Sequence, residues 1–305
     1  MTFKKTYTIA VIVVHRIELI MLYLLLASLF LFGHTVSSSV QISLKIWWNT
    51  LIPGMLVPMI MIRFIHARQG FAHLCSKIFN RCFAMSNNAF AYVICAMLLG
   101  FPSGSLFIDE AYGQDLLNKQ GAKRILLCCC FPTPGFVILS LGALYQDPSI
   151  GWRLYLIQIL SGCILLWFTR SIHVNAYSQP SKLPPFFESL TKAIRTSVQA
   201  MTMIGIYLIL FLSFLSVLET ILPDQLLLPL QLTSEFSSAV LLAAQFPCSL
   251  TIKLILTSAL LSFGGLCVHV QIFSSLRNLS LSYPHFLFFR ILQAVVSMIL
   301  SYFFF

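Results

Sequence analysis

Two breaks in otherwise apolar sequence hold the groups best suited to bind a small solute. The first break is made of Gly100, Phe101, Pro102, Ser103 and Gly104. The second is made of Phe263, Gly264 and Gly265, with His269 and Gln271 about one turn further on. Backbone amides and carbonyls at a broken helix are costly in hydrocarbon unless they face protein or a wet cavity. We therefore predict that these ten residues form a solute-binding site.

Three ionisable side chains in apolar surroundings are candidates for coupling to an ion or a proton. Asp109 and Glu110 follow the first break, and Arg290 lies within the last apolar stretch. Such residues are expensive inside a membrane and mark ion or proton pathways. As alternatives, Asp109 and Glu110 are solvated at the end of a hairpin, and Arg290 pairs either with a carboxylate on the solute or with Glu110.

Several of these residues also have a purely structural explanation. Small residues let membrane helices approach closely, so the first break is alternatively a packing kink. His269 is alternatively a hydrogen-bond partner between packed helices. The nine cysteines contain no Cys-x-x-Cys pair and are interpreted as small buried hydrophobic residues. We expect no metal and no cofactor.

The composition places the chain in a bilayer. Of the 305 residues, 58% are hydrophobic and only 9% are charged, a balance that a soluble domain could not keep dispersed. The net charge of +10 is better explained by basic loops at one membrane face than by nucleic acid, because no basic run exceeds a pair. The predicted partners are therefore lipid and a small solute, with a homo-oligomer possible and nucleic acid excluded.

Hydropathy divides the chain into spans and re-entrant hairpins. The predicted spans are 7–32, 46–65, 125–145, 151–169, 196–218 and 285–304. The predicted hairpins, each broken at glycine, are 88–117 and 249–276. Segments 63–85 and 226–246 are predicted to lie on the membrane surface, and 33–45 and 118–124 are predicted to be polar connections.

Basic residues indicate the orientation of these segments. With a cytoplasmic N-terminus, thirteen of the 19 Lys and Arg residues fall in cytoplasmic segments and three in external ones. The first hairpin then enters from the cytoplasm and the second from outside. We predict an all-α polytopic membrane protein with an inverted-topology repeat. Its parts are an N-terminal helix and connection, 1–45, a first repeat, 46–150, a connecting region, 151–195, and an inverted second repeat, 196–305.

Several motifs carry a family resemblance. They are WWNTLIPGMLVPM, LLGFPSGS, PTPGF, TSVQAMTMIG, SFGGLCVHVQIFSSL and FRILQA, which occur in this order. This chain resembles the sporulation integral membrane proteins with nucleoside-recognition (Gate) domains, which are similar in their hairpins to concentrative nucleoside transporters. The resemblance implies transport of a small polar, anionic solute, such as a dipicolinate-like carboxylate or a nucleoside-like molecule. It also implies the plasma membrane or, in an endospore former, a forespore membrane.

The chain departs from this family at two places. Cys130 and Phe131 stand where the family commonly has two asparagines, and Gln231 stands where it often has a glutamate, with Glu235 in place of a glycine. Gln231 is therefore added to the candidates for coupling to Na⁺ or H⁺. These departures change the ligand, remove an ion site or mark a divergent branch.

Two other functions stay open. One is a non-transporting membrane scaffold needed for sporulation. The other is an intramembrane serine protease with Ser103 as nucleophile and His269 as base, although the sequence around Ser103 is not a Gly-x-Ser-Gly signature. We expect a transporter and not an enzyme.

Overall fold

The computed structural model describes residues 19, 22, 23, 26–71, 77–177 and 183–305. The predicted first span, 7–32, lies largely outside these residues. Helices make up most of the described backbone, and the described residues form two isolated β-bridges but no strand. Within the described residues, five helices are long and apolar enough to cross a membrane: Gly33–Ala67, Pro148–Phe168, Phe186–Ile221, Leu250–Ser275 and Tyr283–Phe304. The chain is an all-α polytopic membrane protein, as predicted.

The first half contains one long helix, two broken pairs and one straight helix. The long helix comprises α1 (Gly33–Ile46), a π-helical turn (Trp47–Leu51) and α2 (Ile52–Ala67). A short α3 (Lys77–Phe83) follows. The first broken pair is α4 (Ala89–Leu99) and α5 (Ser103–Gly113). The second is α6 (Lys119–Cys128) and a π-helical stretch (Gly135–Leu141) that continues as α7 (Gly142–Leu144). The straight helix is α8 (Pro148–Phe168).

The second half repeats this series. Its long helix is α9 (Phe186–Ile221). Its first broken pair is α10 (Asp224–Ser234) and α11 (Phe236–Ala244), and its second is α12 (Leu250–Phe263) and α13 (Gly265–Ser275). Its straight helix is α14 (Tyr283–Phe304). The same order of elements in both halves is what an internal repeat requires.

The long helices of the two halves pack side by side in opposite directions. Near one end of the pair, the rings of Phe64 and Phe186 are 5.1 Å apart. Further along, Trp47 Nε1 donates a hydrogen bond of 2.9 Å to the carbonyl oxygen of Met201. The numbering falls along one helix as it rises along the other, so the helices are antiparallel. The halves therefore begin in opposite senses, as an inverted repeat demands.

The first hairpin lies where it was predicted. Its arms α4 and α5 pack against each other. At their contact, a side chain on Gly104 would place its Cβ only 2.7 Å from the carbonyl oxygen of Ala96. Glycine at this position is needed because the second arm runs directly against the backbone of the first.

The prediction of the second hairpin at 249–276 was wrong. In the second half, α10 and α11 are the arms that fold back on each other, whereas α12 and α13 together form one candidate span, Leu250–Ser275. Segment 226–246 therefore does not lie on the membrane surface. Its second part, α11, is buried at Ala239, Val240 and Ala243. A glycine break occurs in an interrupted span as well as in a hairpin, and the sequence pattern does not separate the two.

Three further segments differ from expectation. The serine-rich stretch 33–45 is helical, and the Ser43 hydroxyl donates to the Ser39 carbonyl, which satisfies it within the helix. The predicted polar connection 118–124 is largely the start of α6, where Arg124 is buried and donates to the carbonyls of Leu166 and Ile172. The predicted span 125–145 is interrupted between Cys128 and Gly135.

One more correction concerns the predicted surface segment 63–85. Its first part belongs to helix α2, which ends at Ala67, and Arg63 is only 7% exposed. A basic side chain that the charge pattern assigned to the membrane surface is thus inside the protein.

Candidate functional site

The four helix breaks converge on one point of the fold. The rings of Phe101 and Phe236 are 5.1 Å apart, and those of Phe136 and Phe236 are 5.2 Å apart. In addition, the backbone N–H of Phe101 donates to the carbonyl of Phe131 at 3.0 Å. These aromatic residues come from three different breaks. We call Phe101, Phe136 and Phe236 the aromatic cluster.

The two glycine breaks that the sequence singled out meet beside this cluster. Gly264 has a φ of +85°, and a Cβ there would lie 3.3 Å from the Phe101 ring. Gly100 has a φ of +59°, and a Cβ there would lie 2.5 Å from the backbone nitrogen of Thr133. Both positions need glycine for backbone conformation, and Gly100 also for space.

A cavity of about 340 Å³ lies next to the breaks, between α5, α9 and α13. Five of the predicted site residues line it: Pro102, Ser103, Asp109, Glu110 and Gln271. Helix α9 contributes polar groups that were not predicted, among them Thr196, Gln199 and Tyr207. We call this space the inner cavity. Its lining joins residues from both halves.

A second cavity of about 290 Å³ adjoins it and shares Glu110 and Thr196. This outer cavity lies where α2 ends and α9 begins, and its charged lining is Arg63, His66, Glu110, Glu188 and Lys192. Small-molecule clefts have volumes of about 300–1,000 Å³, so the two cavities together offer room for a small solute.

Arg63 lines the outer cavity and contacts the first break. Its Nη1 donates to Glu110 Oε2 at 3.3 Å, and its Nη2 donates to the carbonyl and hydroxyl oxygens of Ser103 at 3.4 and 3.3 Å. All three contacts are at or beyond the long end of the usual range. The Nε atom is buried and has no hydrogen-bond partner among the described residues.

Sequence reasoning missed Arg63 because the residue was counted with a surface segment. The signal was present, since Arg63 stands alone in the apolar run 59–65 and ionisable residues within a span are rare and functional. Arg63 was overlooked because it was counted as one of the basic residues at the cytoplasmic face.

Asp109, predicted as a coupling residue, has a structural role that was not predicted. Its carboxylate accepts hydrogen bonds from the backbone N–H groups of Arg277, Asn278 and Leu279, at 2.7–3.2 Å, and from Asn278 Nδ2 at 3.0 Å. Asp109 is 1% exposed. The first hairpin is thus tied to the turn that follows α13.

Arg290 does not pair with Glu110, whose cationic partner is Arg63. Instead it is fully buried and donates to the carbonyl oxygens of Leu127, Cys130 and Ser262. These carbonyls lie at the C-terminal ends of α6 and α12, where a cation offsets the negative end of the helix dipole. Arg290 therefore joins two interrupted helices.

The remaining predicted residues are divided between the cavity and other places. His269 lies within hydrogen-bond distance of the Phe263 carbonyl, at 2.9 Å, and of the Tyr283 hydroxyl, at 3.4 Å. Gln271 donates to Cys267 Sγ at 3.2 Å while lining the inner cavity. Gln231 donates to Glu219 at 2.6 Å, near the far end of α9.

The geometry shows no nucleophile and base in contact at Ser103. The side-chain hydrogen bond described for Ser103 comes from Arg63, and the contacts described for both ring nitrogens of His269 are to Phe263 and Tyr283. The pairing that the protease alternative requires is therefore not present among these contacts.

Comparison with known proteins finds one similar curated protein. The sporulation integral membrane protein YlbJ of Bacillus subtilis (strain 168) is 24% identical over 329 aligned positions, which cover 89% of this chain and 80% of that protein. No protein-family model and no solved structure matches the chain. The chain is a multi-pass membrane protein related to a sporulation integral membrane protein.

Proposed function

We propose that this protein transports a small carboxylate across a membrane and that Arg63 binds the anionic group. The observation that carries the proposal is the position of Arg63 in the lining of the outer cavity, where it contacts Ser103 of the first helix break and Glu110, which lines both cavities. A buried cation is expensive unless it is paired, and its pairing here is incomplete. Its acidic partner within the described part of the chain, Glu110, is itself 35% exposed.

The surroundings of Arg63 suit an anion that enters from the outer cavity. Lys192 lies in the lining of the outer cavity and Arg277 in that of the inner cavity, and both are exposed. Cations around a cleft raise the local concentration of anions. Gln199, Tyr207 and Gln271 supply uncharged hydrogen-bonding groups in the lining of the inner cavity. Such groups orient a polar ring or a second carboxylate.

The repeated order of elements and the convergence of the breaks support alternating access as the proposed mechanism. In transporters with inverted repeats, one repeat rocks against the other around a site at the helix breaks. Here the contact of Phe101 with Phe236 joins the halves beside the inner cavity. We infer that this aromatic cluster closes the path while the outer cavity is open.

The similarity to a sporulation integral membrane protein supports a place in spore formation. The resemblance to Gate-domain proteins adds dipicolinate-like carboxylates and nucleosides as substrate classes. Of these we favour the carboxylate, because a guanidinium recognises carboxylates in a planar, bidentate manner. We propose that the N-terminus and the outer cavity face the cytoplasm, since Arg68 and Lys192 lie at that end of the long helices.

A binding screen on purified protein tests this proposal. Pyridine-2,6-dicarboxylate, benzoate, short dicarboxylates and nucleosides would be compared by the shift each causes in thermal unfolding. We expect a carboxylate to raise the melting temperature of the wild type and of Lys253→Met, and to have no effect on Arg63→Met. Lys253 is a control because it lies outside both cavities.

Flux in proteoliposomes completes the test. Uptake of the bound carboxylate by wild type, and its loss in Arg63→Met, would support transport. Binding without flux in a folded, reconstituted protein would favour the scaffold alternative. Stabilisation by nucleosides alone, or equal effects of the Arg63 and Lys253 variants, would contradict the assignment of Arg63.

A further inference from the structure

Of the four residues considered for ion or proton coupling, three are already engaged elsewhere. The Asp109 carboxylate is held by the turn 277–279, and the terminal nitrogens of Arg290 are held by backbone carbonyls. Gln231 has no titratable group and bonds Glu219, away from both cavities. Glu110 remains as the residue that lines both cavities.

Glu110 occupies the position that a bound carboxylate would need. Its Oε2 lies 3.3 Å from Arg63 Nη1, so it is the internal counter-ion of the cation proposed to bind the solute. Its side chain is 35% exposed, so a solute or a proton in the cavities can reach it. When two carboxylates compete for one guanidinium, it is unfavourable for both to stay ionised. Like charges in a partly buried site raise each other's proton affinity.

We propose that Glu110 is the proton-coupling residue: the solute carboxylate displaces Glu110 from Arg63, and the displaced Glu110 takes up one proton. This inference rests on the proposed function. No covalent bond forms in the solute; one ion pair replaces another, and one proton from water binds Glu110. A monocarboxylate and its proton then cross without net charge, whereas a dicarboxylate crosses with one negative charge.

Other charged groups around the cavities define the alternatives. Helix α2 contributes Arg63 and His66, α9 contributes Glu188 and Lys192, and the turn after α13 contributes Arg277. Glu188 and Lys192 are exposed at the outer cavity. His66 is packed between the rings of Tyr92 and Phe107, at centroid distances of 5.2 and 4.8 Å. Of these groups, Glu110 is the one joined to Arg63 by an ion pair.

Proton uptake on ligand binding is the direct test. Purified protein in weakly buffered detergent solution would receive pyridine-2,6-dicarboxylate, with a pH indicator reporting the protons bound per ligand. We expect about one proton for wild type and none for Glu110→Gln. Between pH 6 and pH 8 the wild-type affinity should fall about tenfold per pH unit, because binding is linked to one proton. The Glu110→Gln affinity should change less than about twofold over that range.

Two further variants separate coupling from structural damage. Glu110→Gln removes the internal competitor and needs no proton, so it should bind the ligand at least about a hundredfold more tightly than wild type at pH 8, whereas damage to the site would weaken binding. Glu110→Asp keeps a carboxyl group and should keep the proton uptake. Glu219→Gln, which neutralises an exposed carboxylate at the far end of α9, should behave as wild type.

The outcomes distinguish this inference from the proposed function. Binding by wild type without proton uptake overturns the role of Glu110 and leaves Arg63 as the anion site. Undiminished proton uptake by Glu110→Gln also overturns it. If no carboxylate binds the folded wild type, the proposed function fails and the coupling fails with it.

Discussion

Asp109 accepts a hydrogen bond of 2.7 Å from the backbone N–H of Leu279, although the two residues are 170 positions apart in the chain. With the neighbouring bonds from Arg277 and Asn278, this contact binds the first hairpin to the turn after the second interrupted span. The buried Asp109 carboxylate therefore holds together two walls of the inner cavity. Three successive N–H groups around one carboxylate form a backbone anion site.

The first prediction concerns this contact. Asp109→Ala leaves three backbone N–H groups without their acceptor; that of Leu279 is buried, whereas Arg277 and Asn278 are exposed. Because a buried unsatisfied group costs about 1–3 kcal/mol, we expect a loss in this range, with Asp109→Asn less damaging because one acceptor oxygen remains. Thermal unfolding in detergent measures both. Asp147→Ala, at an exposed N-cap, should cost clearly less, and an equal cost would contradict the role given to Asp109.

The second prediction concerns the glycines at the breaks. Gly100→Ala forces a Cβ against backbone atoms at 2.5 Å and a φ of +59° on a non-glycine residue, so we expect it to prevent stable folding. Gly264→Ala meets the Phe101 ring at 3.3 Å and should cost about 1–2 kcal/mol, the usual penalty for a left-handed residue with a Cβ.

Gly33→Ala is the matched control for these two variants. A Cβ on Gly33 would meet no atom within 4 Å. The melting temperature of this variant should stay at or slightly above that of wild type. A melting order other than Gly33→Ala, Gly264→Ala, Gly100→Ala would show that the breaks are not held by these contacts.

The third prediction concerns Arg290. Its guanidinium serves carbonyls from two helices at once, so removing it leaves several buried acceptors unpaired. We expect Arg290→Met to cost about 3–5 kcal/mol. Arg290→Lys should recover only part, because a single ammonium does not reproduce the planar set of donors. Expression and melting temperature in detergent measure this, with exposed Arg153→Lys as a neutral comparison.

The fourth prediction concerns Glu235, at the tip of the second hairpin. Its carboxylate accepts from the backbone N–H groups of Ser237 and Ser238 and from the Ser237 hydroxyl, and it is 2% exposed. Loss of such an N-cap costs about 0.5–2 kcal/mol. We expect Glu235→Ala to loosen α11 and to speed proteolysis between α10 and α11 more than elsewhere. Uniform cleavage would argue against a local role.

The sequence predicted the parts of the fold that leave a local mark. Gly100 and Gly264 indicate the positions of their helix breaks in the sequence, because a positive φ and close packing require glycine. Glu235 gives no such signal, because a glutamate that is buried and caps a helix cannot be distinguished in the sequence from a glutamate in a solvated loop. The second hairpin was therefore misplaced, although the class of fold was correct.

Charged residues were the harder part to place. Arg63, Arg124 and Arg290 are all buried, and each is stabilised by carbonyls or by Glu110 from distant segments. Counting basic residues by segment assigned Arg63 and Arg124 to a membrane face, whereas Arg290 was recognised as lying within an apolar stretch. Only tertiary contacts distinguish a buried arginine from one at the headgroups, so the central cation of the candidate site was found from the structure.

The length of the antiparallel pair carries a final consequence. The two long helices have 35 and 36 residues, which at about 1.5 Å per residue exceed 50 Å, whereas hydrocarbon is about 30 Å thick. Even with a steep tilt, their ends stand clear of the lipid tails. Arg68 and Pro184, joined by a hydrogen bond of 2.7 Å at one such end, then lie at the level of the headgroups or beyond. If the protein transports a solute as proposed, the hydrated solute would reach the outer cavity beyond the lipid tails and lose its water there before any part of it enters the hydrocarbon layer.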